Sequence, residues 1–267
     1  MVEIKNKSMA QTCDESYGIL SRTNWKNVSE TNYQLAMLPW GATEAHNYHL
    51  PYSTDNIQCT YIAEEVAKRL WKEDCKTIVL PCVPFGVQTA QMDVKFNINM
   101  KPSTQFAVLK DIVESLENQG LKKLVIINGH GANSFVHMIR ELYSMSKVRI
   151  FTLNWYDSID SKEFFEEPGD HAGELETSVM LHIAPDLVLP LKEAGNGKAK
   201  KIKVKALKEG WIWTQRGWLN QVTSDTGVGN PKKSNPEKGR DYINKVIDKV
   251  SIALKEVAQV DLNDLYE

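Results

Sequence analysis

The sequence predicts an α/β fold: a doubly wound, mostly parallel sheet with helices on both faces, formed by residues 1–267 as a single domain. Three observations predict it. Short apolar runs each stop at a cluster of glycine, proline or polar residues, helical periodicity fills the gaps between them, and the two patterns alternate along the chain. With 267 residues, 42% of them hydrophobic, the chain can bury one core of that architecture.

The elements follow in order. The first eighteen residues, MVEIKNKSMAQTCDESYG, lack an apolar run, so an irregular segment is expected over 1–20. QLAMLP (34–39), TIVLPCVPFG (77–86), KLVIINGHG (123–131) and VRIFTLNW (148–155) then read as buried parallel strands, apolar throughout because both faces of such a sheet are covered. After the first, Ala63, Val66, Ala67, Leu70 and Trp71 fall on one helical face. Before the third, Leu109, Ile112, Val113 and Leu116 do the same in a helix opened by Ser103 and closed by Gly120. In a sheet of this kind ligands bind beyond the carboxyl ends of the strands. The unusual polar clusters all lie there.

Composition narrows the partners. Thirty-four acidic residues against 32 basic ones leave no net field to attract nucleic acid or anionic lipid, so the expected partner is a small molecule. Cys13, Cys59, Cys75 and Cys82 contain no C-x-x-C pair, which fits reduced thiols and a cytoplasmic location, and no apolar run approaches a membrane span. The lysine-rich KAKKIKVKALKEG (198–210) alternates Ile202, Val204 and Ala206 with charge and reads as an exposed edge strand rather than a nucleic-acid patch. WIWTQRGW (211–218) carries three tryptophans and is expected at an oligomer interface.

The stretch LPWGATEAHNYHLPYSTDN (38–56) places Glu44, His46, His49 and Asp55 within a dozen residues. A turn has little use for interleaved histidines and carboxylates, whereas zinc, manganese and iron sites are built from them. Glu44 and His46 are two apart, so in extended backbone they project to one side, and Asp55 opens the next helix. NGHGAN (128–133) follows the third strand, with His130 between glycines and Asn133 expected to cap a helix; DHAGELETS (170–178) follows the fourth. His137 and His182 fall outside any motif and are expected to be structural or solvent-facing; Cys59 and Cys82 read as small core residues.

These stretches resemble the creatininase (creatinine amidohydrolase) family. LPWGATEAHNYHLPYSTD, NGHGAN, HAGELETS and GVGNP…EKGR each match one of its motifs, and together they span most of the chain. The resemblance implies a binuclear centre of two divalent ions (zinc, manganese or iron), a homo-oligomer, often a hexamer, and hydrolysis of non-standard amide C–N bonds in cyclic amides, formamides or small peptide-like compounds by a metal-bridged hydroxide. Glu44, His46, Asp55 and His130 match the family's metal ligands, with Asp55 bridging; His171 matches its proton-transfer histidine. Creatininases carry a further carboxylate ligand where this chain has Ala132, so a glutamate of HAGELETS completes the set. Glu174 and Glu176 point about 200° apart on a helix, and Glu176 is preferred. His49 is expected to orient a ligand. The segment 85–104 departs from the family pattern, placing Gln88, Gln91 and Asp93 where its substrate contacts lie; Gln91 and Asp93, with Trp155 at a strand end, are the expected substrate-binding residues, and creatinine fits less well. The alternative is a catalytically silent metal- or ligand-binding oligomer on the same scaffold.

Overall fold

The computed structural model describes residues 18–266, so Cys13 and nearly all of the segment expected to be irregular lie outside the described residues. Ile19 is already anchored, buried and bridged in parallel to Val79. The chain then runs α1 (Trp25–Ser29), β1 (Leu35–Trp40), α2 (Thr54–Lys72), β2 (Thr77–Val79), α3 (Pro102–Asn118), β3 (Lys123–Asn128), α4 (Val136–Leu142), β4 (Arg149–Asn154), β5 (Gly169–His171), α5 (Glu174–Ile183), α6 (Lys205–Lys208), β6 (Val228–Gly229) and α7 (Pro236–Gln259).

Four strands form one parallel sheet in the order β2-β1-β3-β4. Strand parity divides its two faces. Leu35, Met37, Val125 and Ile127 pack with Ile62, Val66 and Leu70 of α2 and with Tyr242, Val246 and Val250 of α7. Ala36, Leu38, Trp40, Leu124 and Ile126 meet Leu109, Val113 and Leu116 of α3 and Met138 and Leu142 of α4. Both faces are therefore covered, which is why β1 and β3 read as unbroken apolar runs. The chain leaves β1 for β2 on one side and returns as β3 on the other. Reversal of direction opens a crevice at the carboxyl ends of β1 and β3.

Three expectations are corrected. The run 77–86 pairs as a strand only over Thr77–Val79, because Pro81 and Pro84 have no N–H to give a ladder; single bonds from Leu80 N to Met37 O (2.8 Å) and from Val83 N to Pro39 O (3.0 Å) carry it on along β1. Residues 198–210 form no strand. They hold the short helix α6, with Ile202 and Val204 exposed, since no sheet edge runs alongside to accept them. Asn133 does not cap α4, whose first turn is preceded by Phe135 with no side-chain cap; its amide donates to Gly41 O and Asn128 Oδ1, and its oxygen accepts from Val87 N and Gln105 Nε2. It ties the loops after β1 and β3 together. Among the described residues no helix is long and apolar enough to cross a membrane.

Candidate metal centre

Three histidines are held in the same way. His46 Nδ1 donates to Glu44 O (3.1 Å), His130 Nε2 to Val87 O (3.0 Å) and His171 Nε2 to Ala45 O (2.9 Å). A backbone carbonyl thus fixes one nitrogen of each ring and turns the other towards a common group of carboxylates, the arrangement that orients metal-binding imidazoles. The free nitrogens are close to that group. His46 Nε2 lies 3.0 Å from Asp55 Oδ1, His130 Nδ1 lies 2.8 Å from Glu44 Oε1 and 3.2 Å from Asp55 Oδ2, and His171 Nδ1 lies 3.9 Å from Glu44 Oε1. Glu44, His46, Asp55, His130 and His171 are all buried.

Local structure explains how these side chains meet. Gly41 lets the loop after β1 pass against the first turn of α2, where a side chain would collide with Asn56. Asp55 sits in that first turn, where the helix dipole favours a negative charge. His130 follows Gly129, whose missing side chain lets the end of β3 approach Asp55 and Cys59. On the far side, Ala172 takes a left-handed conformation (φ 51°) between His171 and α5, and its N–H donates to Glu176 Oε2. Asn47 and Thr226 are left-handed too, and Asn47 N donates to Thr226 Oγ1 beside His46 (2.8 Å). Such strain gathers at functional sites because surrounding contacts must hold it.

The ligand atoms fall into groups whose members lie within 4.8 Å of one another: Glu44, Asp55 and His130; His46, Asp55 and Glu176; and Glu44, His46 and His171. The first two share Asp55. Asp55 Oδ2, buried, lacks a hydrogen-bond partner, since His130 Nδ1 is near it without bonding alignment. An orphaned buried acceptor of this kind costs about 1–3 kcal/mol, and a cation among these donors removes that cost. The site therefore fits divalent ions.

The electrostatics agree. Burial pushes the Glu44 carboxyl up, but the charges of His130, His171 and His46 outweigh it and hold Glu44 well below the usual carboxylate range. Burial opposes a charge on His46, yet the attraction of Asp55 and the hydrogen bond that His46 Nε2 donates to it, with Glu176 and Glu44 behind, raise it to about 10. His130 is raised likewise by Glu44 and Asp55 against its burial. Glu176 moves the other way, raised by burial despite His46 and His171. His49 stays outside all three groups, held down to about 4 by burial and the His46 charge, with Nε2 2.8 Å from Thr177 Oγ1.

Glu176, on the first turn of α5, faces the cluster; Glu174 faces away, buried against Lys238 Nζ (2.5 Å) and the N–H groups of Glu166 and Glu167. The three residues expected to touch substrate are placed otherwise. Gln91 spends both ends of its amide inside the protein, donating to Glu44 Oε2 (2.6 Å) and accepting from Asn97 Nδ2 (2.7 Å), so it steadies a candidate ligand. Asp93 accepts from Asn220 N (3.1 Å) and pins one loop to another. Trp155 is core, buried between Tyr156 and Tyr242, rather than a crevice wall.

Sequence reasoning passed over one neighbouring residue, Tyr156, and placed another, Trp218, at an interface, whereas it is buried. The Tyr156 hydroxyl faces Gly131, reaching 3.8 Å from where a β-carbon would stand, and burial with the charges of Asp157, Asp55 and Glu176 raises its pKa. Its position directly after a strand was the available signal. Trp218 packs edge-on against the His171 ring at 5.6 Å and donates to Thr226 O, separating it from Trp211 and Trp213 of the same motif, which are exposed.

A family model described as creatinine amidohydrolase matches residues 21–254. The chain belongs to the creatininase family. A Bacteroides fragilis protein assigned by name to the creatinine amidohydrolases is 42% identical and superposes with a TM-score of 0.88, covering 94% of this chain and 99% of its own. Solved creatininases in a Zn–Zn form and a Mn form superpose at 0.76 and 0.75 with 21% identity, each over 91% of this chain and 98% or 99% of theirs, and share the fold. The creatinine amidohydrolase of Pseudomonas putida is 26% identical over 57% of this chain, which spans only 65% of that relative's length. The mycofactocin precursor peptide peptidase of Mycobacterium tuberculosis is 26% identical over 79% of this chain and 81% of its own. Creatininase-family relatives of this chain are thus hydrolases, and the chain itself carries candidate metal-binding groups.

Proposed function

We propose that this chain is a binuclear metal-dependent amidohydrolase acting on a non-standard amide C–N bond, with Glu44, Asp55 and His130 holding one divalent ion and His46, Asp55 and Glu176 the other. The observation that carries it is the pair of ligand groups sharing buried Asp55, one of whose oxygens lacks any hydrogen bond. Zinc, manganese and iron all suit a His and carboxylate set. What such ions contribute when bound is acidification of a water to about neutral pKa and polarisation of a carbonyl oxygen.

The remaining roles belong to side chains. His171, fixed through Nε2 on Ala45 O, presents Nδ1 to the crevice and delivers a proton to the departing nitrogen, a task suited to imidazole. Trp218 holds its ring in place. The Tyr156 hydroxyl, held protonated by burial and by the charges of Asp157, Asp55 and Glu176, donates to the substrate. Gln91 keeps Glu44 aimed inwards.

The substrate class is a cyclic amide, a formamide or a small peptide-like amide, and the last has the most support. Ala132, where creatininases resemble one another in a carboxylate, is exposed, and beside it opens a groove of about 420 Å³ lined by Phe106, Met138 and the Gln105 side chain. Creatinine needs no such room. The peptidase relative also aligns over more of the chain than the creatinine amidohydrolase does. A homo-oligomer, up to a hexamer, is proposed on the exposed Trp211 and Trp213; a cytoplasmic setting accords with three free cysteines among the described residues.

Metal analysis of protein purified without chelator tests the centre: two divalent ions per chain are expected, and Asp55→Ala should empty both positions together. One tightly held ion that survives Asp55→Ala would refute the binuclear reading. A hydrolysis screen of the loaded protein across cyclic amides, formamides and short peptides then separates an enzyme from a silent binding protein, for which every class would be left intact.

A further inference from the structure

Beside the metal ligands, two thiols that share no sequence motif meet: Cys59 Sγ and Cys82 Sγ lie 3.8 Å apart. We propose that Cys59 and Cys82 form a reversible dithiol–disulfide site whose oxidant is a hydroperoxide, with Cys82 as the attacking thiol and Cys59 as the resolving one. The proposal stands apart from the hydrolase reading and uses none of its residues.

The geometry suits closure. A disulfide bond is about 2.0 Å long, so one sulfur must advance by a little under 2 Å. Cys59 cannot. It is fully buried in α2 and packed so tightly on the end of β3 that a β-carbon on Gly129 would stand 3.2 Å from its own. Cys82 can, because it lies half-buried between Pro81 and Pro84 in the irregular continuation of β2. Both sulfurs also touch Asn56, Cys59 through its backbone oxygen (3.6 Å) and Cys82 through Oδ1 (3.7 Å), so one residue keeps the pair in register.

The two thiols differ in reactivity. Hydrogen bonds from Cys59 and Thr60 lower the Cys82 thiol against its burial, while burial raises Cys59. Thiolate character and access mark the sulfur that an oxidant meets first. The Cys82 thiolate attacks the peroxide; an S–O bond forms, the O–O bond breaks, and the alcohol leaves with a proton, giving a sulfenic acid. Cys59 then attacks that sulfur; the S–S bond forms and water departs, carrying the Cys59 proton. Two electrons pass from the thiols to the peroxide.

The test treats the full, metal-loaded chain with tert-butyl hydroperoxide, quenches with an alkylating agent under denaturing conditions, and reads intact mass and peptide map. The expected result is loss of two alkylatable thiols and of the mass of two hydrogens, a Cys59–Cys82 linked peptide, and recovery of both thiols with dithiothreitol. Buried Cys75 should stay alkylatable throughout. Cys59→Ala should stop the reaction at a Cys82 sulfenic acid that dimedone captures, and Cys82→Ser should leave Cys59 as a thiol. Cys59 and Cys82 both remaining alkylatable, or Cys82 linked to Cys13 or to a second chain instead, would overturn the proposal.

Discussion

At the scale of single residues, the candidate centre depends on which nitrogen of each imidazole is committed to the backbone. His130 gives Nε2 to Val87 O and turns Nδ1 between Glu44 and Asp55, whereas His171 turns Nδ1 to Glu44 alone at 3.9 Å. Removal of each should therefore have different consequences. His130→Gln is expected to lose metal and turnover together, because no neighbour can supply an imidazole there. His171→Gln is expected to keep both ions and lose about 10²–10⁴ in rate, the usual loss for a positioned acid, with the larger loss on substrates whose leaving amine is more basic. Metal stoichiometry measured beside the rate constant decides it; an emptied metal position in His171→Gln with His130→Gln fully loaded would reverse the two roles. A second residue-scale expectation concerns pH in the chelated protein. His46 is raised to about 10 in the folded chain, above its unfolded value near 6.5. Its contribution to stability is thus fully present below pH 6.5 and is lost as pH rises through about 10. Bound cations must displace the same proton, so apparent metal affinity should rise over that range. Urea midpoints of the chelated chain and metal titrations from pH 6 to 10 should move in opposite directions; parallel movement would mean that His46 does not carry the proton.

At the scale of elements, much was legible and the failures have physical causes. β1 and β3 could be read because a strand covered on both faces must be apolar throughout, and Glu44, His46, Asp55 and His130 could be grouped because strand ends of one parallel sheet converge, whereas Glu176, which follows β5 of the separate two-stranded sheet, was reached through the resemblance of its motif. Strand-end parity was not legible. One residue of phase decides whether Trp155 or Tyr156 enters the crevice, and the structure gives the core to Trp155. Likewise the lysine alternation of 198–210 has the same period whether or not a partner strand lies alongside. The glycine of EKGR illustrates a packing requirement hidden in a motif. Gly239 lies inside α7, where alanine would normally be preferred by about 1 kcal/mol, but its β-carbon would stand 1.9 Å from Ser178 O of α5. Backbone cannot yield there as a flexible side chain would. Gly239→Ala is therefore expected to destabilise by on the order of 2–3 kcal/mol, read as a lower urea midpoint at unchanged slope; a stabilised variant would show that α5 and α7 pack less closely than described.

At the scale of the whole molecule, the segment between α5 and β6 links the centre to the outer surface. It delivers Trp218 to the His171 ring and, a few residues earlier, leaves Trp211 and Trp213 69% and 85% exposed with Ile212 between them. Large exposed aromatics on a chain of net charge −2 meet little electrostatic resistance to self-association, and tryptophans are the side chains that most often dominate an interface. We propose that a second copy covers this arm and so braces the wall that holds His171. Sedimentation of the purified chain at micromolar concentration should show a closed oligomer. Trp211→Ala with Trp213→Ala should weaken it by roughly 30-fold or more, the effect of losing about 2 kcal/mol at a central contact. Metal content should be unaffected by that change, since neither tryptophan approaches a ligand group, while turnover should fall with dissociation as Trp218 loses support. A monomeric wild type, or an oligomer indifferent to both substitutions, would move the interface elsewhere and leave the arm to serve the crevice alone.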